Sequence, residues 1–184
     1  MLFSNVKRAF RFIVALIAAL TAMLVFRALV LTIYTVEGSA LSPLLHEGDR
    51  VLVNRWSYGL RVGGENSLFS YGRIGRQPVS VGDIVAFNNP DNTDETLIGR
   101  CKAVPGDTIS HNGQTVVVPG RRDCADADYY WMETPGNNNA DGTQLMLLIS
   151  EQHIIGRVTN VVYSHDPKCQ LWHGWRAERF LLPL

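Results

Sequence analysis

Charge of either sign is scarce in this sequence. Only 18% of its 184 residues are Asp, Glu, Lys or Arg, and 17 basic residues balance 17 acidic ones. A zero balance supplies no bulk attraction to a phosphate backbone, so nucleic acid is not an expected partner. Lysine is rarer still: Lys7, Lys102 and Lys168 are the only three. Cysteine is limited to Cys101, Cys124 and Cys169, too few and too scattered for a disulfide scaffold or a zinc ribbon. One pair can bridge in an oxidising compartment, and the sequence does not choose which. No His, Cys or acidic cluster has metal-ligand spacing, so no metal and no other cofactor is expected. Hydrophobic residues make up 46%, which excludes a disordered chain and points toward a membrane segment.

That segment is Phe12 to Phe26, FIVALIAALTAMLVF, an uncharged run preceded by Lys7, Arg8 and Arg11 and followed by Arg27. At about 1.5 Å per residue it falls short of a bilayer core of about 30 Å. Snorkelling by Arg11 and Arg27 and extension through Ala28 to Val30 make up the difference. A cleaved signal peptide has the same basic start and short apolar run, but the ALVLTIYTV that follows Arg27 offers no small-residue cleavage site. A retained anchor is expected: residues 1–27 form a cytoplasmic tail and transmembrane signal anchor, and residues 28–184 an exported domain. The basic cluster keeps the N-terminus in the cytoplasm and sends the main domain across the inner (plasma) membrane to the periplasmic side.

After Arg27 the pattern is β. Leu29–Val36, Asp49–Asn54, Asp83–Phe87, Thr96–Val104, Thr115–Val118, Leu145–Ile149 and Arg157–Tyr163 are short apolar runs, punctuated by HEGD, VGD, NNPDN, VPGD and TPGNNNADG. Short strands at this spacing predict an all-β, compact domain. Tyr58 to Pro78 reads as a flexible hairpin, and Pro119 to Gly142 as a long polar loop. The tail WHGWRAERFLLPL reads either as a membrane-surface segment or as a terminal helix packed on the domain.

SPLLHEGDRVLVNRWSYGLR (Ser42–Arg61), VGDIVAF (Val81–Phe87), LIGRCKAVPGDTI (Leu97–Ile109) and ISEQHIIGRVTNVVY near the end form four ordered boxes. Together they resemble the type I signal peptidases over nearly the whole chain. The resemblance implies a signal-peptidase-like β domain on one membrane helix and substrates that are extended peptides of exported proteins. In that family a serine hydroxyl attacks the scissile carbonyl and a buried lysine with a lowered pKa takes its proton.

Aligned on Pro43 and Pro105, the serine position is Ala40 and the lysine position is Gly99. Alanine has no hydroxyl and glycine has no amine. The upstream serine that assists the oxyanion in the family is Gly38, and the late box of the family has only a shortened echo in Gly136 to Gln144. Ser39 is the fallback nucleophile if a one-residue bulge shifts the chain, and Ser42 is a second candidate. A base is harder to find. Lys102 lies an odd number of residues from Gly99 and so points to the other face of a strand, Lys168 is in a polar loop, and Lys7 is cytoplasmic. His46 and His111 read as solvated turn histidines. Asp49, Asp83 and Asp107 each follow glycine and read as turn caps.

The expectation is therefore a membrane-anchored signal peptidase homologue that is catalytically silent and binds signal peptides or exported chains. Gly38, Ser39, Ala40, Leu41, Pro43, Gly99 and Arg100 would form the peptide site, by strand addition to a sheet edge. Two alternatives stay open at this point. One is an active peptidase using Ser39, and the other is a structural subunit that docks other members of a membrane assembly.

Overall fold

The computed structural model describes residues 2–37, 41, 43–63, 70–92, 94–111, 113–124, 127–135, 144–169 and 173–184, with side chains undescribed at 2–7, 9, 25–29, 111, 114, 135, 144 and 145. Helix α1 takes Leu2–Val30, 29 residues and so about 44 Å long. Its described side chains between Arg8 and Leu24 are exposed, Phe12, Ile17, Leu20 and Leu24 among them. Among the described residues no helix is long and apolar enough to cross a membrane. The helix runs two residues past the expected strand start at Leu29, and the Arg55 amide donates to the Val30 carbonyl at 2.9 Å where it ends.

The rest is antiparallel sheet. One sheet has the order β1-β2-β11-β5-β6-β9-β10, formed by β1 (Leu31–Thr35), β2 (Asp49–Asn54), β5 (Ile84–Asn88), β6 (Thr96–Ala103), β9 (Tyr129–Pro135), β10 (Gln144–Ser150) and β11 (Ile154–Ser164). A last short strand, β12 (Leu182–Pro183), adds to β11. Two separate ribbons complete the fold: β3 (Leu60–Val62) with β4 (Gly72–Ile74), and β7 (Thr108–His111) with β8 (Gln114–Val117). The β3–β4 pair realises the hairpin expected between Tyr58 and Pro78.

Strand β5 shows why the sheet buries both faces. Its residues alternate by the period of two. Ile84 and Ala86 join Val51, Val53, Val158 and Val161 in one apolar cluster. Val85 and Phe87 join Cys101, Met132, Ile149 and Ile154 in a second.

Three Gly-Asp turns recur and have one design. Asp49, Asp83 and Asp107 each donate their amide to the carbonyl three residues back (His46, Ser80 and Val104), at 3.1, 3.1 and 3.0 Å. Each carboxylate accepts the amide of that same residue, at 2.9, 3.1 and 2.9 Å. The preceding glycines have φ of +87, +93 and +93°, where other residues are strained. These aspartates are turn caps, as the sequence suggested. Gly48 is doubly constrained, since a Cβ there would also run into the His165 carbonyl oxygen.

The stretch from Pro119 to Gly142, read as a loop, contains β9. Its residues Tyr129 to Pro135 are held between β6 and β10, and that pairing outweighs the polar flanks. The tail forms neither a terminal α-helix nor a free segment. It makes a single 3-10 turn at Ala177–Arg179 and then β12.

Arg179 reaches from that turn to Asp49, its Nη2 2.7 Å from Oδ2 and its Nε 3.2 Å from Oδ1. Burial raises the Asp49 carboxyl, but hydrogen bonds from Arg179, the His46 amide and Ser164 outweigh it and leave the group below its ordinary value. A depressed carboxyl stabilises the fold above its unfolded pKa, and that stabilisation is lost as pH falls through the native value. Asp49→Asn should therefore cost about 3–5 kcal/mol at pH 7, the range for breaking a buried pair. In urea unfolding, the gap between wild type and variant should shrink as the pH drops below about 4. A gap independent of pH would contradict this account.

Candidate active site

Gly38, Ser39, Ala40 and Ser42 lie outside the described residues, as do Gly136 to Thr143. The chain around them is well placed. From β1 it continues through Val36, whose amide donates to the Asp49 carbonyl at 2.8 Å, into the turn that carries Leu41 and Pro43. Leu41 is buried in the same cluster as Ile84, Ala86 and Ile98, and Pro43 is exposed. Leu41 thus packs on the face of β5 and β6 that carries Ile84, Ala86 and Ile98, whereas a side chain at 99 would address the other face, with Phe87.

Gly99 sits in the middle of β6, opposite Val85 on β5, with its neighbour Arg100 opposite Glu133 on β9. It is buried, and there is no room for a side chain. A Cβ would lie 2.7 Å from the Glu133 carbonyl oxygen and 3.0 Å from a Phe87 ring carbon. The first of these is backbone of a paired strand and cannot swing aside. Arg100 is half-buried, on the opposite face from the one a residue at 99 would address.

The other groups considered as a base are placed as follows. Lys102 is committed to the buried Glu133, with Nζ 2.9 Å from Oε2, and its own side chain is 41% exposed. That ion pair occupies the amine, which is therefore not free to serve as a general base. Lys168 is exposed in the loop after β11. His46 is partly buried, and its Nδ1 has no hydrogen-bond partner among the described residues.

Sequence reasoning passed over Cys101, two residues from Gly99 and so on the same face of β6. Its thiol is fully buried, and its pKa is pushed up to about 12 by burial first and then by Asp83 and Asp107. At neutral pH it is a thiol packed as an apolar side chain, not a nucleophile. Asp83 is likewise engaged, by the Tyr58 hydroxyl at 2.9 Å and by Arg157 at 3.3 Å. Burial and then Asp83 hold the Tyr58 phenol well above its usual value, so it acts as donor only.

The comparison with known proteins settles the lineage. The model of the family described as signal peptidase, peptidase S26, matches residues 9–155. The chain belongs to the type I signal peptidase family. Among relatives, signal peptidase IB of Staphylococcus aureus is 26% identical over 116 residues, covering 63% of this chain and 51% of that protein. Signal peptidase I V of Bacillus subtilis is 28% identical over 116 residues, covering 63% and 58%. The chain spans about half the length of the curated relatives it matches.

One substitution tests the packing at Gly99. Glycine inside a strand ordinarily weakens it, so alanine at an open position would stabilise by about 0.5–1 kcal/mol. With the Glu133 carbonyl in the way, Gly99→Ala should instead destabilise by about 1–3 kcal/mol. Chemical denaturation reads the sign, and a gain in stability would mean that space for a side chain exists.

Proposed function

We propose that this chain is a signal peptidase family member that has lost hydrolysis and kept peptide binding. It holds an extended segment of a signal peptide or exported chain without cutting it. The observation that carries this reading is the packing at Gly99, where the family's base would stand and where a Cβ would meet the Glu133 carbonyl at 2.7 Å. A serine at any nearby position, Ser39 included, stays a poor nucleophile without a neighbouring base. The strand-addition mode needs only backbone groups and shallow apolar pockets, and it outlives the loss of the dyad. Strand β1 supports that mode: it is the last strand of the sheet, pairs with β2 on one side, and leads directly to the Leu41 turn. The peptide would run along β1 and meet Leu41, Pro43 and the chain between Gly38 and Ala40.

The site works beside a membrane in this reading. Helix α1 carries its apolar side chains fully outward, with Phe12, Ile13, Leu16, Ile17, Leu20 and Leu24 all exposed, and such a surface calls for lipid. The described apolar stretch ends at Leu24, and the span needs the following residues to Val30 to reach across the bilayer. Arg8 and Arg11 keep the N-terminus cytoplasmic, which leaves the β domain outside.

Catalytic silence is checked with a preprotein carrying an Ala-x-Ala site, incubated with the full chain in detergent. Neither wild type nor Ser39→Ala should release product above background, while a labelled peptide spanning that site should bind both. Serine-dependent turnover would instead identify an active peptidase with a displaced nucleophile. Absence of both turnover and binding would leave a docking subunit. Topology is checked separately. Protease added to intact spheroplasts should digest residues 28–184 and spare an N-terminal tag, and protection of the β domain would reverse the orientation.

A further inference from the structure

Among the described residues, the turn from Leu41 to Asp49 is held partly from within and partly from outside. Within it, the Leu45 amide donates to the Leu41 carbonyl at 3.0 Å and the Asp49 amide to the His46 carbonyl at 3.1 Å. Two of its other carbonyls are held from far away in the sequence. Arg179 Nη2 donates to the Leu44 oxygen at 2.7 Å, and Arg176 Nη1 donates to the Glu47 oxygen at 3.1 Å. The same two arginines are themselves fixed. Arg179 forks onto Asp49, with its side chain 11% exposed and that of Asp49 fully buried, and Arg176 also reaches the Ser164 hydroxyl at 3.1 Å.

The segment that presents them, residues 174–184, lies as a strap along β11. Asp166 donates to Gly174 at 3.0 Å, Arg176 to Ser164 at 3.1 Å, Leu181 to Val162 at 3.3 Å and Leu184 to Thr159 at 2.9 Å. Trp175 bridges His165 and stacks edge-on against its ring at 5.1 Å. Between these anchors Leu181 is forced to φ of +54°, a conformation that a non-glycine residue keeps only when its surroundings impose it. The strap is therefore anchored along its length and can carry a rigid pair of guanidinium groups to the turn.

We infer that this strap is a positioning element for the peptide site: Arg179, with Arg176, fixes the turn that sets Leu41 and Pro43 beside β1, so that peptide binding depends on residues that never touch the peptide. The peptide half of this statement rests on the function proposed above, and the positioning half does not. Neither arginine lies on β1 or among the residues that would meet the peptide. Their effect is transmitted through the carbonyls of Leu44 and Glu47 and the carboxylate of Asp49. Ordering a turn in advance removes an entropic cost from binding, and loosening it restores that cost.

The test uses the full chain in detergent, with Arg179→Met, Arg179→Lys, Arg176→Ala and the exposed strap residue Phe180→Ala. Amide hydrogen exchange across residues 41–48 is read beside the affinity for the labelled Ala-x-Ala peptide. Arg179→Met should speed exchange in 41–48 at least tenfold while β5, β6 and β9 stay protected, and should weaken the peptide at least tenfold. Arg179→Lys, which keeps the charge but not the fork, should fall between it and wild type. Phe180→Ala should match wild type. If wild type binds no peptide, the proposed function fails and the exchange data still decide the strap. Unchanged exchange in 41–48, or faster exchange with unchanged affinity, would overturn the inference. If Arg179→Met exposes every strand, Arg176→Ala supplies the local comparison, and global loss of protection in both variants would also overturn it.

Discussion

A carboxylate taken out of water must be met by a cation or by donors, and this fold is tied together by meeting that demand from a distance. Asp49 is answered by Arg179, 130 residues on. Asp83 is answered by Tyr58 and Arg157. Glu151, at the turn between β10 and β11, collects Arg76 and Arg121, while Arg73 and Tyr71 hold its carbonyl. Each pairing fixes an element that the sheet alone would leave loose: the strap, the turn before β5, and the β3–β4 ribbon with the chain around Arg121. Their net contribution to stability is smaller than their number suggests, because desolvation offsets much of the attraction. What they supply above all is a single arrangement of the connections.

The same logic governs the site. In a serine–lysine peptidase the buried amine must stay unpaired, a state that apolar surroundings make available and that a neighbouring carboxylate destroys. In the reading proposed here, the region around β6 is arranged in the opposite way. Gly99 lets the Glu133 carbonyl and the Phe87 ring pack where a side chain would begin. The nearby amine, Lys102, satisfies Glu133 instead. A thiol that shares the face, Cys101, is packed as an apolar group. Under the proposed function, packing on these strands takes the place of the family's chemistry. Peptide recognition by an edge strand draws on backbone groups that no side-chain change removes, so the proposed binding does not depend on a catalytic dyad.

Much of this was open to reading in the sequence, because its signals are local. Alternating apolar runs set most of the strands, and β2 was legible to the residue since Gly48-Asp49 and Asn54 bracket it. The glycine-aspartate pairs announced their turns through backbone chemistry confined to four residues. The proposed loss of the dyad is read from the identities of Ala40 and Gly99 alone, aligned on Pro43 and Pro105. Strand β9 was hidden because tyrosine, tryptophan and methionine between polar, turn-rich flanks carry no decisive period, and only its partners β6 and β10 make it a strand. The tail was read either as a membrane-surface segment or as a terminal helix, since nothing close to Arg179 in the chain indicates Asp49. Only the tertiary structure decided that the strap crosses to the Leu41 turn and that Gly99 has no space for a side chain. Both depend on groups brought together from distant parts of the chain, and close approach of that kind leaves no periodicity in a sequence.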